Sequence, residues 1–317
     1  MTPPDTRLLV AADTTIDLYL TDEAAITPAS TVQWFLGGTG ANVATGIGLF
    51  YNSAELMTNV GTDFFGTQAE RYLEESPIST RYLSRVDATS PLTLYVPERA
   101  GGPRWDAWID GSCFGFTLPG KDTTVLEGFD WMYLSATTLP QSVNWEETTQ
   151  LLDYAASHEV RVAFDLNGRS NQWPDTATYR ARLETILPHC DVVFASQEDL
   201  SLAGIASTPN ELVSLLSDEG SVYLFITRGA DRTTGIVLAD GQIQQETDAD
   251  PPEVDPHDPA GAGDAFAAAV LSALFDGESD IDTLIEVGNA AGAAAVMSPG
   301  ALRADDFDNF EQLVDPD

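Results

Sequence analysis

A chain of 317 residues with a hydrophobic fraction of 43% is long and apolar enough for a large α/β domain, alone or with a smaller accessory piece, and is not disordered. Its 50 acidic against 14 basic residues leave a net charge of −36, which excludes nucleic acid and anionic membranes as partners. Such a molecule repels itself in dilute buffer, whereas the Debye length falls to about 3 Å in molar salt, so the composition predicts adaptation to very high salt.

The acid is spread along the whole chain, which argues against a single acidic binding surface, and Lys121 is the only lysine. Cys113 and Cys190 are too few and too distant for a disulfide framework or a zinc site, which fits a reducing cytoplasm. His158, His189 and His257 show no ligand spacing. Met1 to Asp5 carries no targeting pattern, and the apolar stretches fall short of the ~20 residues that span a bilayer, so a cytoplasmic protein is expected.

Arg7 to Ala12 reads as a short buried strand, and the alternating Asp13 to Leu20 as a second, half-exposed one. Gly37-Gly38-Thr39-Gly40-Ala41-Asn42-Val43-Ala44 is a glycine loop opening onto a helix over Thr45 to Phe50. Val43 stands at the third glycine position of a dinucleotide fingerprint, which discounts that function. Asn42, one turn into an apolar helix, faces either a ligand or a buried carbonyl. Glu55 to Val60 reads as a strand, Gly61 to Gly66 as a turn, and Thr67 to Glu75 as an amphipathic helix. Leu92 to Val96 and Arg104 to Ile109 alternate around Glu98 to Gly102, a hairpin that is either decoration or a lid, with Trp105 and Trp108 on one face. Gly115 to Lys121 fits GxxxxGK, but Asp122 replaces the required Ser or Thr and the stretch reads as loop.

From Trp131 strands and helices alternate. Strands are expected at Trp131 to Ser135, Arg161 to Leu166, Val192 to Ala195, Tyr223 to Thr227 and Gly235 to Ala239. Helices are expected at Trp145 to Ser157, Thr178 to Leu187 and Asn210 to Ser217. This is the pattern of a largely parallel sheet covered on both faces, whose ligand edge lies at the strand C-termini. Polar residues follow those ends at Asp165 to Arg169, Ser196 to Asp199 and Thr227 to Gly229, each a turn or a contributor to one site. Asp248 to Pro259 reads as a loop feeding the motif that organises the chain.

That motif is Asp258-Pro259-Ala260-Gly261-Ala262-Gly263-Asp264-Ala265-Phe266, followed by the Ala-rich run to Phe275. Two glycines separated by one residue let the backbone approach a bulky partner, and the run behind them is strongly helix-forming. A helix starting near Ala262 aims its free N–H groups and the positive end of its dipole at the space before the glycines, an anion site made of backbone. Asp264 then sits beside that anion. The alternative is a first-turn Asp that only complements the dipole.

Asp258 to Phe266 matches the C-terminal signature DTxGAGD-Ala-Phe of the ribokinase-like (PfkB) carbohydrate kinases, and Gly37, Gly38 and Asn42 match the N-terminal one. Gly61-Thr62-Asp63-Phe64-Phe65-Gly66 is similar to the family's VGxDxFG, so the chain resembles that family over nearly its whole length. The resemblance implies a three-layer α/β/α fold over residues 1–317, with a mostly parallel central sheet and a small β-sheet lid from about 14–36 and 90–117. It implies an ATP-dependent sugar kinase in which Asp264 takes the proton of the sugar hydroxyl as it attacks the γ-phosphate. Gly261, Ala262 and Gly263 then form the anion hole. Asp17, Gly37, Gly38 and Asn42 match sugar-binding positions, Thr227 and Gly229 the nucleotide-side turn, and Asn289 the helix bordering adenine. Mg²⁺ is implied with ATP, and a monovalent cation such as K⁺ is optional, with Pro259 and Ala260 offering fewer side-chain oxygens than relatives have. The family's N-x-x-E motif lacks its Asn. Ser196 and Asp199 align there, or Glu198 after a shift by one. Phe164-Asp165-Leu166-Asn167-Gly168-Arg169, then Trp173-Pro174, is similar to fructokinases and 2-keto-3-deoxygluconate kinases, which implies that Asn167 and Arg169 approach substrate. Arg169 as a surface ion pair is the alternative. A homodimer through the lid is expected by the same analogy, and the acidic composition resembles that of proteins from halophilic archaea. A nucleoside kinase of the same fold and a sugar- or nucleotide-binding protein without turnover are the competing functions. The carboxylate of Asp264 argues against the second, because a pure binder gains little from it beside a phosphate.

Overall fold

The computed structural model describes residues 6–20, 31–51, 54–96, 104–108, 113–169, 172–205, 209–300 and 307–314. Its first half runs β1 Leu8–Ala11, β2 Thr15–Leu20, β3 Val32–Gly37, α1 Thr39–Phe50, β4 Ala54–Gly61, α2 Phe64–Glu75, β5 Ser79–Val86, β6 Leu92–Val96 and β7 Arg104–Trp108. There follow β8 Trp131–Ser135, α3 Ser142–His158, β9 Arg161–Asp165, α4 Thr176–Ile186, β10 Val192–Ser196, α5 Gln197–Leu202 and α6 Pro209–Val213. The chain continues with β11 Ser221–Thr227, β12 Thr233–Ala239, β13 Gln242–Ala249, α7 Ala262–Phe275, α8 Ile281–Ala295 and α9 Phe307–Val314.

The strands form a nine-stranded sheet in the order β13-β12-β11-β10-β9-β8-β1-β4-β5 and a four-stranded sheet in the order β3-β2-β6-β7. From β11 to β5 neighbours are parallel, while β12 is antiparallel to both β11 and β13. Parallel strands need cover on both faces, and β1 shows how the sequence supplies it. Leu9 and Ala11 pack toward α3 and α4, while Leu8 and Val10 pack toward α1, α7 and α8. The result is the three-layer α/β/α architecture that the resemblance implies, with a small separate sheet. No helix among the described residues is long and apolar enough to cross a membrane.

Several elements depart from the sequence reading. α1 starts at Thr39 rather than Thr45, because Gly38, at φ 94° and ψ 137°, turns the chain straight into the helix. α2 starts at Phe64, where Asp63 caps the helix by accepting from the Gly66 N–H at 2.8 Å. α6 ends at Val213, and the expected continuation tightens into i→i+3 bonds from Leu215 to Leu212 and Leu216 to Val213. Residues 115–121 hold no phosphate loop. Only single 3₁₀ turns follow, Pro119–Lys121 and Thr123–Leu126. The hairpin strands 92–96 and 104–108 pair antiparallel as expected. Their turn at 98–102, Ile109 and the side chains of Trp105 and Trp108 lie outside the described residues. β3, β5 and β13 were not expected, and β13 is almost wholly exposed.

β1 is flanked by β4 on one side and β8 on the other, so the chain leaves it in opposite directions. Its C-terminal end is therefore a switch point, the place where such sheets open a crevice.

Candidate active site

α7 begins at that crevice. Gly261 occupies the left-handed region at φ 75°, ψ 0°, and no atom lies within 4 Å of where a Cβ on Gly263 would sit. The loop before it is fixed by buried Asp258, which accepts from the N–H of Ala260 at 3.0 Å and of Gly300 at 2.9 Å. The start of α7 is open at Gly263, while the Ala262 N–H turns back to Pro259 O at 3.5 Å.

Asp264, buried in that first turn, accepts a 2.7 Å bond from Asn42 Nδ2, so Asn42 reaches across from α1. Burial pushes the Asp264 carboxyl up to about 6. The Asn42 bond and the Arg169 guanidinium oppose the shift, and the carboxylates of Asp13 and Asp17 add to it. A group tuned there is ionised at neutral pH yet close enough to take a proton in a transition state.

On the α1 side, a Cβ on Gly37 would fall 2.0 Å from Asp17 Oδ2, so this glycine exists in the shape of that carboxylate. A Cβ on Gly38 would press on Thr15 N at 2.7 Å and Asp13 O at 2.8 Å. Partial burial raises the Asp17 carboxyl above its usual range. Asp13, just past β1, is buried and accepts from Thr137 Oγ1 beyond β8 at 2.5 Å; burial raises its carboxyl too. Asn167 Nδ2 donates to Thr39 Oγ1 at 2.8 Å, tying the end of β9 to the start of α1. Arg169 is exposed, and its charge acts on Asp13, Asp199 and Asp264 together.

The Ser196 turn is a helix cap. Asp199 Oδ2 accepts from Ser196 N–H at 2.8 Å and Ser196 Oγ at 2.7 Å, and Oδ1 accepts from Gly168 N–H at 2.6 Å. Two donors on Oδ2 and one on Oδ1 commit most of the Asp199 carboxylate to the cap. Glu198 in the same turn is exposed.

Thr227 closes β11 and Gly229 follows at φ 62° with open space at its Cβ position. Arg228, Arg232, Thr234, Asp231 and Asp248 line a cleft of about 700 Å³ there. Arg228 donates to Thr234 Oγ1 at 2.8 Å, and that hydroxyl donates to Asp248 at 2.6 Å. Asn289 is buried with its amide engaged, accepting from Thr233 Oγ1 at 2.7 Å and donating to Ala249 O at 3.4 Å. It braces the wall of this region between β12, β13 and α8.

An anion held by a helix N-terminus and a carboxylate able to accept a proton near neutrality are what moving a phosphoryl group onto a hydroxyl requires, and they define a phosphotransferase with an alcohol acceptor. Comparison supplies the particular family. Residues 5–306 match the pfkB family carbohydrate kinase, and the chain belongs to that family. The chain is 26% identical over 309 residues to a fructokinase of Escherichia coli, covering 94% of this chain and 95% of that one. The crystal structure of 2-dehydro-3-deoxygluconokinase from Thermotoga maritima superposes with a TM-score of 0.79 at 18% identity, covering 98% and 99% of the two chains. A fructokinase double mutant from Vibrio cholerae O395, in fructose, ADP and potassium ion bound form, gives 0.80 at 20% identity, covering 96% of each.

In sequence, Asp165 was read as part of a polar strand end and of the segment similar to fructokinases, with no role of its own. It is buried, accepts from Tyr133 OH at 3.2 Å and Asn167 N–H at 3.1 Å, and is pushed up to about 8 by burial, then by Asp199 and Asp264. A carboxyl neutral in the folded state and ionised in the unfolded one costs stability increasingly as pH rises from about 4 to about 8. Asp165→Asn is therefore expected to melt progressively higher than the parent across that interval. A melting-temperature difference that stays flat with pH contradicts it.

Proposed function

We propose that this kinase transfers the γ-phosphoryl group of ATP to a hydroxyl of a small keto-sugar or keto-sugar acid, with Asp264 as the general base. The observation that carries the reading is the Asn42–Asp264 contact, which places a carboxyl of pKa about 6 at the mouth of the α7 N-terminus. Asp264 takes the acceptor proton while that oxygen forms its bond to phosphorus and the bond to the departing ADP oxygen breaks. Gly261, Ala262 and Gly263 present backbone to the charge on the transferring group. Asp17, Gly37, Gly38 and Asn42 surround the acceptor, and the four-stranded sheet acts as its lid. Thr227 and Gly229 open the cleft toward the nucleotide. Mg²⁺ neutralises phosphate charge when bound, and the exposed Glu198 is the carboxylate of its turn left to meet the ion or its waters.

Arg169 favours an acidic sugar. It is exposed at the site, and its charge is directed at three carboxylates, so it supplies the cation that a substrate carboxylate needs. The fructokinase and deoxygluconokinase relatives make fructose and 2-keto-3-deoxygluconate the first substrates to try.

The test is ADP release with Mg-ATP and a panel of hexoses, pentoses, keto-deoxy acids and nucleosides. Turnover on a keto-sugar is expected, turnover on nucleosides alone moves the assignment to a nucleoside kinase, and none at all leaves a binding protein. The net charge of −36 sets the conditions, because a cytoplasm of molar salt is part of this reading. Activity and melting temperature are expected to rise from about 0.1 M to about 3 M KCl as repulsion is screened. Replacing KCl by choline chloride at equal strength separates screening from a specific K⁺ site, and a protein most stable in dilute buffer contradicts the salt adaptation.

A further inference from the structure

Resting on the reading of Asp17 as a sugar ligand, we infer that Thr93 and Thr15 are positioning residues that clamp one oxygen of Asp17 and leave the other for the acceptor sugar. The two hydroxyls converge on the same atom. Thr93 Oγ1 donates to Asp17 Oδ1 at 2.6 Å, and Thr15 Oγ1 donates to that same oxygen at 2.9 Å. Oδ2 is the oxygen nearer Gly37, where a Cβ would fall 2.0 Å from it against 2.9 Å from Oδ1. A carboxylate has about four lone-pair sites, and two hydroxyl donors on Oδ1 account for both on that side. Only Oδ2 is left to receive a ligand hydroxyl, next to the glycine pair that opens α1.

The clamp depends on strand register. β2 and β6 run parallel in the four-stranded sheet, and Asp17 is directly paired with Thr93. Slipping β6 by one residue turns Thr93 to the other face and brings an apolar neighbour, Leu92 or Leu94, against the carboxylate. Thr15 contributes from two residues earlier on β2, on the same face as Asp17 because side chains alternate. The donors matter because the surroundings are hostile to charge. Asp13 from the end of β1 and Asp258 from the loop before α7 both act on Asp17, and Asp17 in turn acts on Asp264 in α7 and on Tyr19 in its own strand. Of the influences that favour the ionised carboxylate, the Thr93 bond is the largest and the Thr15 bond the next.

Thr93→Val keeps the shape and removes the hydroxyl, and Thr15→Val does the same from the other side. With D-fructose and 2-keto-3-deoxy-D-gluconate as probes, each is expected to raise the KM for the accepted sugar about tenfold, with the KM for ATP and kcat changed less than twofold, in line with losing one hydrogen bond to a charged group. Thr93→Ser, which restores the donor, is expected to bring the sugar KM back toward the parent value. A merely structural threonine predicts the reverse, a loss of melting temperature that serine does not recover and no selective change in sugar KM. If either valine variant folds and binds sugar like the parent, the clamp is overturned. Asp17→Asn is run alongside. A large rise in its sugar KM with parent-like threonine variants overturns the clamp and leaves the sugar-site reading standing. An unchanged KM in Asp17→Asn removes Asp17 from the sugar site, and the clamp with it.

Discussion

Asp264→Asn is expected to lower kcat by about 10²–10⁴, the range for loss of a general base, while the KM values for sugar and ATP move only a few-fold. The asymmetry follows from what the substitution keeps. Asn retains the shape and a partner for Asn42, so the α1–α7 contact survives and only proton uptake is lost. The parent carries a second signature. With the carboxyl raised to about 6, kcat/KM for the sugar falls as the pH drops below about 6, because protonation silences the base. In Asp264→Asn that acid limb disappears from the residual rate. Parent-like turnover in the variant, or a residual rate that keeps the limb, assigns the base elsewhere.

Gly37→Ala and Gly38→Ala, adjacent in sequence, are expected to fail in opposite ways. The three atoms nearest a Cβ added at Gly37 all belong to the Asp17 carboxyl group, which can give way by loosening its threonine bonds rather than by moving backbone. Gly37→Ala is expected to fold with a melting temperature within a few degrees of the parent and to lose sugar affinity at least tenfold, as Oδ2 is pushed from its place. At Gly38 the added atom meets backbone, Thr15 N at 2.7 Å and Asp13 O at 2.8 Å, and the residue sits at φ 94°. A glycine-only conformation costs about 1–3 kcal/mol for any other residue, and overpacking against backbone costs about as much again. That sum is a large share of the 5–15 kcal/mol that holds a domain together, so Gly38→Ala is expected to melt far lower or fail to accumulate folded. Thermal melts beside sugar KM values separate the two. Equal loss of stability in both variants contradicts the distinction.

The core of this molecule was plain in its sequence because parallel strands are covered on both faces and appear as unbroken apolar runs. Leu8–Ala11, Trp131–Ser135 and Val192–Ser196 all came through in this way. The edges did not. β13 reads QIQQETDA, too polar for a strand on its own, and is held by pairing with β12 across the turn at Asp240 and Gly241, both at positive φ. That dipeptide is a strong hairpin signal and was the available cue. β5 lies on the opposite edge, half-buried, without clean alternation.

At the site, the turn into α7 was legible because a left-handed residue leading into a helix is written in glycine and helix formers. Asn42 was ambiguous between a ligand and a carbonyl, and its partner is a carboxylate 222 residues away, which spacing cannot show. Ser196 and Asp199 illustrate the converse. Their spacing is that of a capping box, and their side chains are engaged in one. Asp13 followed a wholly buried strand, and a carboxylate in that position was a cue left unused. Thr93 gave none, since a threonine in an alternating strand is ordinarily there for its β-propensity.

Gly46 of α1 lies against Ala268 of α7, where a Cβ on the glycine would come within 2.6 Å of the alanine methyl. Two helices in contact through so little side chain behave as one splint, and the half of the reaction centre contributed by Asn42 and Asp264 travels with it. Asp17 belongs to the other body, the four-stranded sheet. In the proposed reading of that sheet as a lid, its closure would carry Asp17 toward the Asn42–Asp264 pair, and the separation of the two carboxylates would report it.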